Sequence, residues 1–233
     1  MNWNWEVIWE YFPRLLQGAL TTLELVFISG VAGLLLAVPL ALMRSSPRLY
    51  LRWPAFAYIF FFRGTPLLVQ IFLIYYGASQ FDAVKNSFAW PVLREAYWCA
   101  IIAFTLNTAA YTGELVRGAI QSVPKGEMEV ARALGMSRFM QIRRILLPRA
   151  FGIVLPAYSN EVLLMLKSSA LASTITLLDI TGMARTIIAR TYTPLEIFTA
   201  AGMIYLIIAA ILLGLFRMWE RYLNRYKYIS REG

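Results

Sequence analysis

The sequence predicts an all-α integral membrane protein with five transmembrane helices, its N-terminus outside and its C-terminus in the cytoplasm. Three observations carry this. Apolar residues make up 59% of the 233, well above the share in a soluble domain. They gather into five runs of about 20, the length a helix needs to cross a hydrocarbon layer about 30 Å thick. Basic residues fall between those runs with a strong bias to one side.

The predicted spans cover about 19–43, 55–78, 97–116, 150–171 and 195–216 of a single transmembrane domain, 1–233. The first holds one charge, Glu24, near its start. The second is interrupted by Arg63-Gly64-Thr65-Pro66, where proline removes a backbone hydrogen bond and glycine loosens the helix. That break either lines a pathway or marks where the chain enters the membrane, with 44–62 as an interfacial elbow. Glu114 lies near the end of the third span, and the fourth carries Glu161 and Lys167. The fifth has Glu196 at its start and no charge after it.

Orientation follows from the basic residues. Arg44, Arg48 and Arg52 follow the first span, seven more lie in the loop 117–149, and Arg217, Arg221, Arg225, Lys227 and Arg231 follow the fifth, so fifteen of 22 are on one side. The N-terminus has no positive charge before Arg14 and reads as retained, with Trp3, Trp5 and Trp9 suited to a segment at the membrane interface.

Whole classes of chemistry are missing. The sequence has no histidine and one cysteine, Cys99, which leaves no His-based acid–base catalysis, Cys/His metal site or internal disulfide. It has no Gly-Lys dipeptide and hence no P-loop. Net charge is +9, but no basic stripe on a soluble scaffold points to nucleic acid.

The stretch from Glu129 to Pro148, EVARALGMSRFMQIRRILLP, lies in the cytoplasmic loop. Val130, Ala133 and Leu134 form one apolar face of a short helix, with Glu127 and Glu129 placed in its first turn. Gly135 is placed to end it in a left-handed conformation and Ser137 to cap a second helix striped by Ile142, Ile145 and Leu146, which meets the bilayer at Pro148. On physical grounds such a segment either rests on the anionic leaflet or docks a soluble partner through short helical anchors.

Glu129-Val130-Ala131, three residues, Gly135, nine residues, then Ile145-Leu146-Leu147-Pro148 resembles the EAA motif of bacterial ABC importer permeases, with Val130 in place of an alanine. The runs 63–70 and 107–137 resemble the polar amino-acid uptake family, and 158–174 is most similar to histidine- and opine-type permease M subunits. The resemblance covers about residues 15 to 220. It implies an inner-membrane permease subunit that hydrolyses nothing itself and binds no cofactor, with ATP and Mg held by two cytoplasmic ATPase subunits. It further implies a second, different permease chain and a periplasmic binding protein that delivers substrate. The loop then acts as the coupling helix, with Glu129, Ala131 and Gly135 as its ATPase contacts, moved by ATP binding and release.

Polar residues inside spans are costly, so they face a cavity or a partner. They recur at seven-residue spacing, two helical turns: Arg63 with Gln70, Asn107 with Glu114, Asn160 with Lys167, and Glu161 with Ser168. Glu161, about a dozen residues into its span, either meets a cationic substrate group or pairs with a basic residue of a neighbouring subunit. Gln70, Asn107 and Asn160 are the other pathway candidates, amide hydrogen bonds between helices being the alternative. An ATP-independent transporter or channel is the competing function; it predicts internal repeats, and none is evident.

Overall fold

A computed structural model describes residues 3–223, and among these the chain is helical with no strand. Three helices are long and apolar enough to cross a membrane unaided: α1 (Trp5–Arg44), α6 (Ala96–Ser122) and α11 (Pro194–Leu223). Two further pairs qualify only when joined across a bend. One is α2 (Leu49–Gly64) with α3 (Leu67–Phe72) and the π turn Leu73–Gly77 that prolongs it, bent by 104°. The other is the helical run Arg138–Ile175 with α10 (Ile180–Thr191), bent by 49°. Short helices α4 (Asp82–Lys85) and α5 (Trp90–Leu93) occupy the connection before α6.

Helix α1 is the axis of the bundle and packs along α6. Contact is close because facing positions are small, as where the Ala37 carbonyl of α1 lies against Gly113 of α6. A Cβ on Gly33 would lie 2.9 Å from the Thr108 methyl, so glycine is what lets the two helices touch there. Ser29 Oγ donates to the Ile101 carbonyl at 3.4 Å, adding one polar tie to an apolar seam. The cluster around Leu15, Leu25, Ile71, Phe104, Leu166 and Ile187 forms the main core. A second cluster, Ala41, Val116, Ala119, Val123, Ala150 and Val154, closes the bundle at the end that carries the basic loop. There Arg44 lies 3.6 Å and Arg117 2.7 Å from Glu114, so two arginines share one carboxylate at the seam of α1 and α6.

The helix of the first span starts well before its apolar run: Trp5 and Trp9 lie in the first turns of α1, which is capped by Asn4, whose side chain accepts from the Glu6 and Val7 amides. Pro13 costs a single hydrogen bond and does not break the helix. Trp3, Trp5, Ile8 and Phe12 face Thr199, Met203 and Ile207 of α11 across an apolar groove, which gives these turns a reason to stay helical.

Asp179 organises the far end. Its Oδ1 accepts from the Gly182 amide at 2.9 Å and its Oδ2 from the Thr181 amide at 3.2 Å and the Tyr205 hydroxyl at 3.2 Å, so this fully buried carboxylate caps α10 and ties it to α11. The Ile180 amide, which that cap leaves over, donates to Thr22 Oγ1 of α1 at 3.2 Å. Arg225, Lys227 and Arg231, used above for orientation, lie outside the described residues.

Candidate functional site

Helix α7 (Lys125–Ala133) forms the first half of the basic loop. Its end is a Schellman motif: the Gly135 amide donates to the Arg132 carbonyl at 3.0 Å and the Met136 amide to the Ala131 carbonyl at 3.1 Å, with Gly135 at φ +75°. Ser137 then caps α8 (Arg138–Gln141), its side chain accepting from the Met140 amide at 3.3 Å. Both the left-handed glycine and the serine cap stand where the sequence places them.

Two details differ, and an ion pair is added. Glu127 alone is in the first turn of α7; Glu129 lies one turn on and is exposed. Glu127 is engaged by Arg149, whose guanidinium donates to both carboxylate oxygens at 2.7 and 3.0 Å. The second helix does not stop at Pro148. It passes through a π turn (Ile142–Leu146) directly into α9 (Leu147–Ser168), the Leu147 amide reaching back to the Ile142 carbonyl. Proline at the start of α9 lacks the amide that a regular turn would need at that step, and the widened turn absorbs the defect.

The outward surface of this loop is apolar with a basic surround. Val130, Leu134 and Phe139 are 61%, 76% and 71% exposed, on either side of Gly135. Arg132, Arg138, Arg143 and Arg144 are exposed around them. Ala131 is turned inward and buried. Of the three residues named for coupling, Glu129 and Gly135 are at the surface and Ala131 supports it from below.

The second feature is a cavity of about 420 Å³ where the break between α2 and α3 meets α6 and α9. Its polar lining comes from Arg63, Thr65, Asn107, Tyr111, Glu161 and Ser168, and that volume lies within the usual range for small-molecule sites. The break opens it: Thr65 is extended (φ −111°, ψ 143°) and Pro66 starts α3, so backbone polar groups are freed beside the cavity. Gln70 collects them. Its Nε2 lies 2.9 Å from the Phe62 carbonyl, 3.0 Å from the Thr65 carbonyl and 2.7 Å from Thr65 Oγ1, two protons shared among three acceptors. Gln70 Oε1 in turn accepts from Asn107 Nδ2 at 3.0 Å, and the same nitrogen lies 3.3 Å from the Phe62 carbonyl.

The four pathway candidates therefore divide. Glu161 and Asn107 line the cavity; Gln70 is buried behind its wall as a clamp on the break; Asn160 is on the exposed flank of α9, outside the cavity. The two sets on α9 keep their phases, Glu161 with Ser168 inside and Asn160 with Lys167 outside. Arg63 and Gln70 do not share a face, because the 104° bend falls between them. Glu161 has no ion-pair partner within 4.0 Å among the described residues, although Arg63 lines the same cavity, its guanidinium 5.2 Å from the centre of the Tyr111 ring. Tyr111 and Thr108, not singled out from the sequence, complete the lining; only their helical offset from Asn107 could have pointed to them.

Apolar helices gathered around a polar cavity, with an exposed apolar and basic loop at one end, are the build of a membrane transport component. Residues 33–225 match the family described as binding-protein-dependent transport system inner membrane component. The octopine transport system permease protein OccM of Rhizobium meliloti is 54% identical over 213 residues, covering 91% of this chain and 87% of that protein. The histidine/lysine/arginine/ornithine transport system permease protein HisM of Escherichia coli K12 is 45% identical over 224 residues, covering 93% and 94%. Among solved structures, an amino acid ABC transporter crystallised with histidines superposes with a TM-score of 0.83 at 34% identity, over 95% of this chain and 100% of that one. The inward-facing methionine transporter MetNI gives 0.77 at 17% identity, over 92% and 98%, a likeness of fold alone. The chain belongs to this family and is a non-catalytic, inner-membrane permease subunit of an ABC importer. The ATP-independent transporter or channel gives way to it.

Proposed function

We propose that this permease carries basic amino acids or opines, that the cavity beside the α2–α3 break is part of its path, and that Glu161 receives the cationic group of the substrate. The observation that carries this is a half-buried carboxylate, without an ion-pair partner among the described residues, facing a polar cavity at mid-helix. A carboxylate so placed is a strong partner for an ammonium or guanidinium group. Relatives named for octopine and for histidine, lysine, arginine and ornithine support the substrate class. Asn107 offers its amide to the same space, while Gln70 holds the wall.

The assembly reading is of five spans with the N-terminus in the periplasm and the C-terminus in the cytoplasm, paired with a different permease chain. Two ATPase subunits that hold ATP and Mg grip the loop at Glu129, Gly135 and the exposed Val130, Leu134 and Phe139, with Ala131 as its inner support. A periplasmic binding protein supplies substrate. The bias of basic residues supports the orientation, and the apolar knob with its basic surround supports the docking.

Reconstitution in proteoliposomes tests this reading. The complete complex, with binding protein, is expected to accumulate labelled arginine, histidine or octopine only when ATP is hydrolysed. Uptake that persists with a hydrolysis-deficient ATPase overturns it.

A further inference from the structure

Lys167 stands in an unusual place. Met165, two residues before it, touches the middle of α1: a Cβ on Gly30 would lie 3.2 Å from Met165 Cε, and Tyr158 of the same helix donates to the Gly30 carbonyl at 3.0 Å. Gly30 is near the centre of the apolar run 19–43. Thr108, halfway along α6, donates to Met165 Sδ at 3.2 Å, which gives the same level from a second helix. At about 1.5 Å per residue, Lys167 is roughly 3 Å further along, close to the bilayer centre. Its side chain is exposed, it does not line the Glu161 cavity, and no carboxylate among the described residues lies within 4.0 Å of its ammonium.

Lipid is a poor neighbour for that charge. Pro156, Asn160, Leu164 and Lys167 make one exposed stripe along α9, spaced at i, i+4, i+8 and i+11. The stripe carries an amide and an ammonium at a depth where hydrocarbon satisfies neither. Leu164 belongs to this stripe and also to the rim of the Glu161 cavity, so whatever covers the stripe also walls the cavity's open side.

We infer that this stripe of α9 is the contact surface for a second permease chain, and that Lys167 is neutralised there by an aspartate or glutamate of that chain. The inference rests on the importer reading and goes further, because the charge restricts who the partner is. A two-fold interface between copies presents the same patch from both sides, and this stripe offers an amide and an ammonium but no carboxylate to meet Lys167. Like charges in a low-dielectric contact repel strongly. The occupant is therefore a different chain with a carboxylate at the bilayer centre.

The test uses the complete complex in native membranes. A maleimide–benzophenone probe is attached at Asn160→Cys or Lys167→Cys, with Leu206→Cys on the exposed flank of α11 as a lipid-facing control. Photolysis at the two α9 positions is expected to give an adduct containing the second permease, identified by mass spectrometry, and Leu206→Cys is expected to give lipid adducts alone. In parallel, Lys167→Glu is expected to lower co-purification of the second permease at least tenfold, and Lys167→Arg no more than twofold. Folding of Lys167→Glu is checked by its yield as a monodisperse chain when purified alone. An adduct of two copies of this chain, lipid adducts at all three positions, or unchanged recovery of the partner with Lys167→Glu overturns the inference. ATP-driven uptake by the wild-type complex is measured separately: uptake together with lipid-only adducts overturns the α9 interface and leaves the importer reading standing.

Discussion

Gln70 Oε1 accepts a hydrogen bond from Asn107 Nδ2 at 3.0 Å, while Gln70 Nε2 reaches the carbonyls of Phe62 and Thr65 across the break. A side chain just past the bend and one on α6 thus hold in place the wall of a cavity that a straight α2–α3 helix would not open.

From this bridge we expect Gln70→Leu to behave as a stability variant. It leaves the Phe62 and Thr65 carbonyls and the Asn107 amide short of partners, which costs about 1–3 kcal/mol per unsatisfied buried group. The thermal midpoint of the purified complex should fall, with substrate affinity changed little in the fraction that remains folded. Lost affinity at an unchanged midpoint would assign Gln70 to the substrate instead.

Glu161→Gln should act differently. It keeps the shape of the cavity and removes the charge, so uptake of cationic substrates is expected to fall roughly tenfold or more, as for the loss of a charge-assisted hydrogen bond. Neutral substrates should lose far less. Competition assays with arginine against glutamine in proteoliposomes measure the split, and equal losses would make Glu161 a structural residue.

At Gly135 the constraint is conformational. A Cβ there meets nothing within 4 Å, but φ is +75°, where a side-chain-bearing residue pays about 1–2 kcal/mol and a β-branched one more. Gly135→Val should release the ATPase while the chain still inserts, and Gly135→Asn should retain most of it, because asparagine tolerates the left-handed region. Co-purification of the ATPase from membranes compares the two. Equal retention of the ATPase by both variants would remove the turn from the docking account.

Gly18 and Gly30 offer a controlled pair on α1. A Cβ on Gly18 would lie 2.8 Å from the Asp179 backbone carbonyl oxygen, whereas on Gly30 it would meet the flexible end of Met165 at 3.2 Å. Gly18→Ala is expected to destabilise by about 1–3 kcal/mol, since backbone at the α10 cap must move, and Gly30→Ala by less. Thermal unfolding of both in detergent tests the order.

Much of this was legible before any coordinates. The break at Arg63–Pro66, the left-handed Gly135, the Ser137 cap and the two phases of polar residues on α9 all follow from local rules: proline's missing amide, glycine's freedom, hydroxyl caps and a 3.6-residue period. What stayed hidden depends on neighbours distant in sequence. Periodicity gives Gln70 a phase on its helix, but only the bend puts three acceptors within its reach. Ala131 belongs to the docking motif by spacing, yet its burial comes from the way the loop folds beneath it. Asp179 looks like one more loop acid, and its role needs Thr181, Gly182 and Tyr205 together. The helical N-terminus depends on α11 being there to cover it.

One structural continuity bears on how a stroke at one end is felt at the other. Arg138 at the docking loop and Glu161 at the cavity belong to a single unbroken helical rod, joined through the π turn at Ile142–Leu146. The 23 residue steps from Arg138 to Glu161 make a strut about 35 Å long, stiff in compression and in torsion. Pulling or twisting its lower end swings the carboxylate directly, with no relay of side chains between. The widened turn and Pro156, where α9 lacks a backbone hydrogen bond, are the compliant points along it, and their give sets how much of any movement at the loop reaches Glu161.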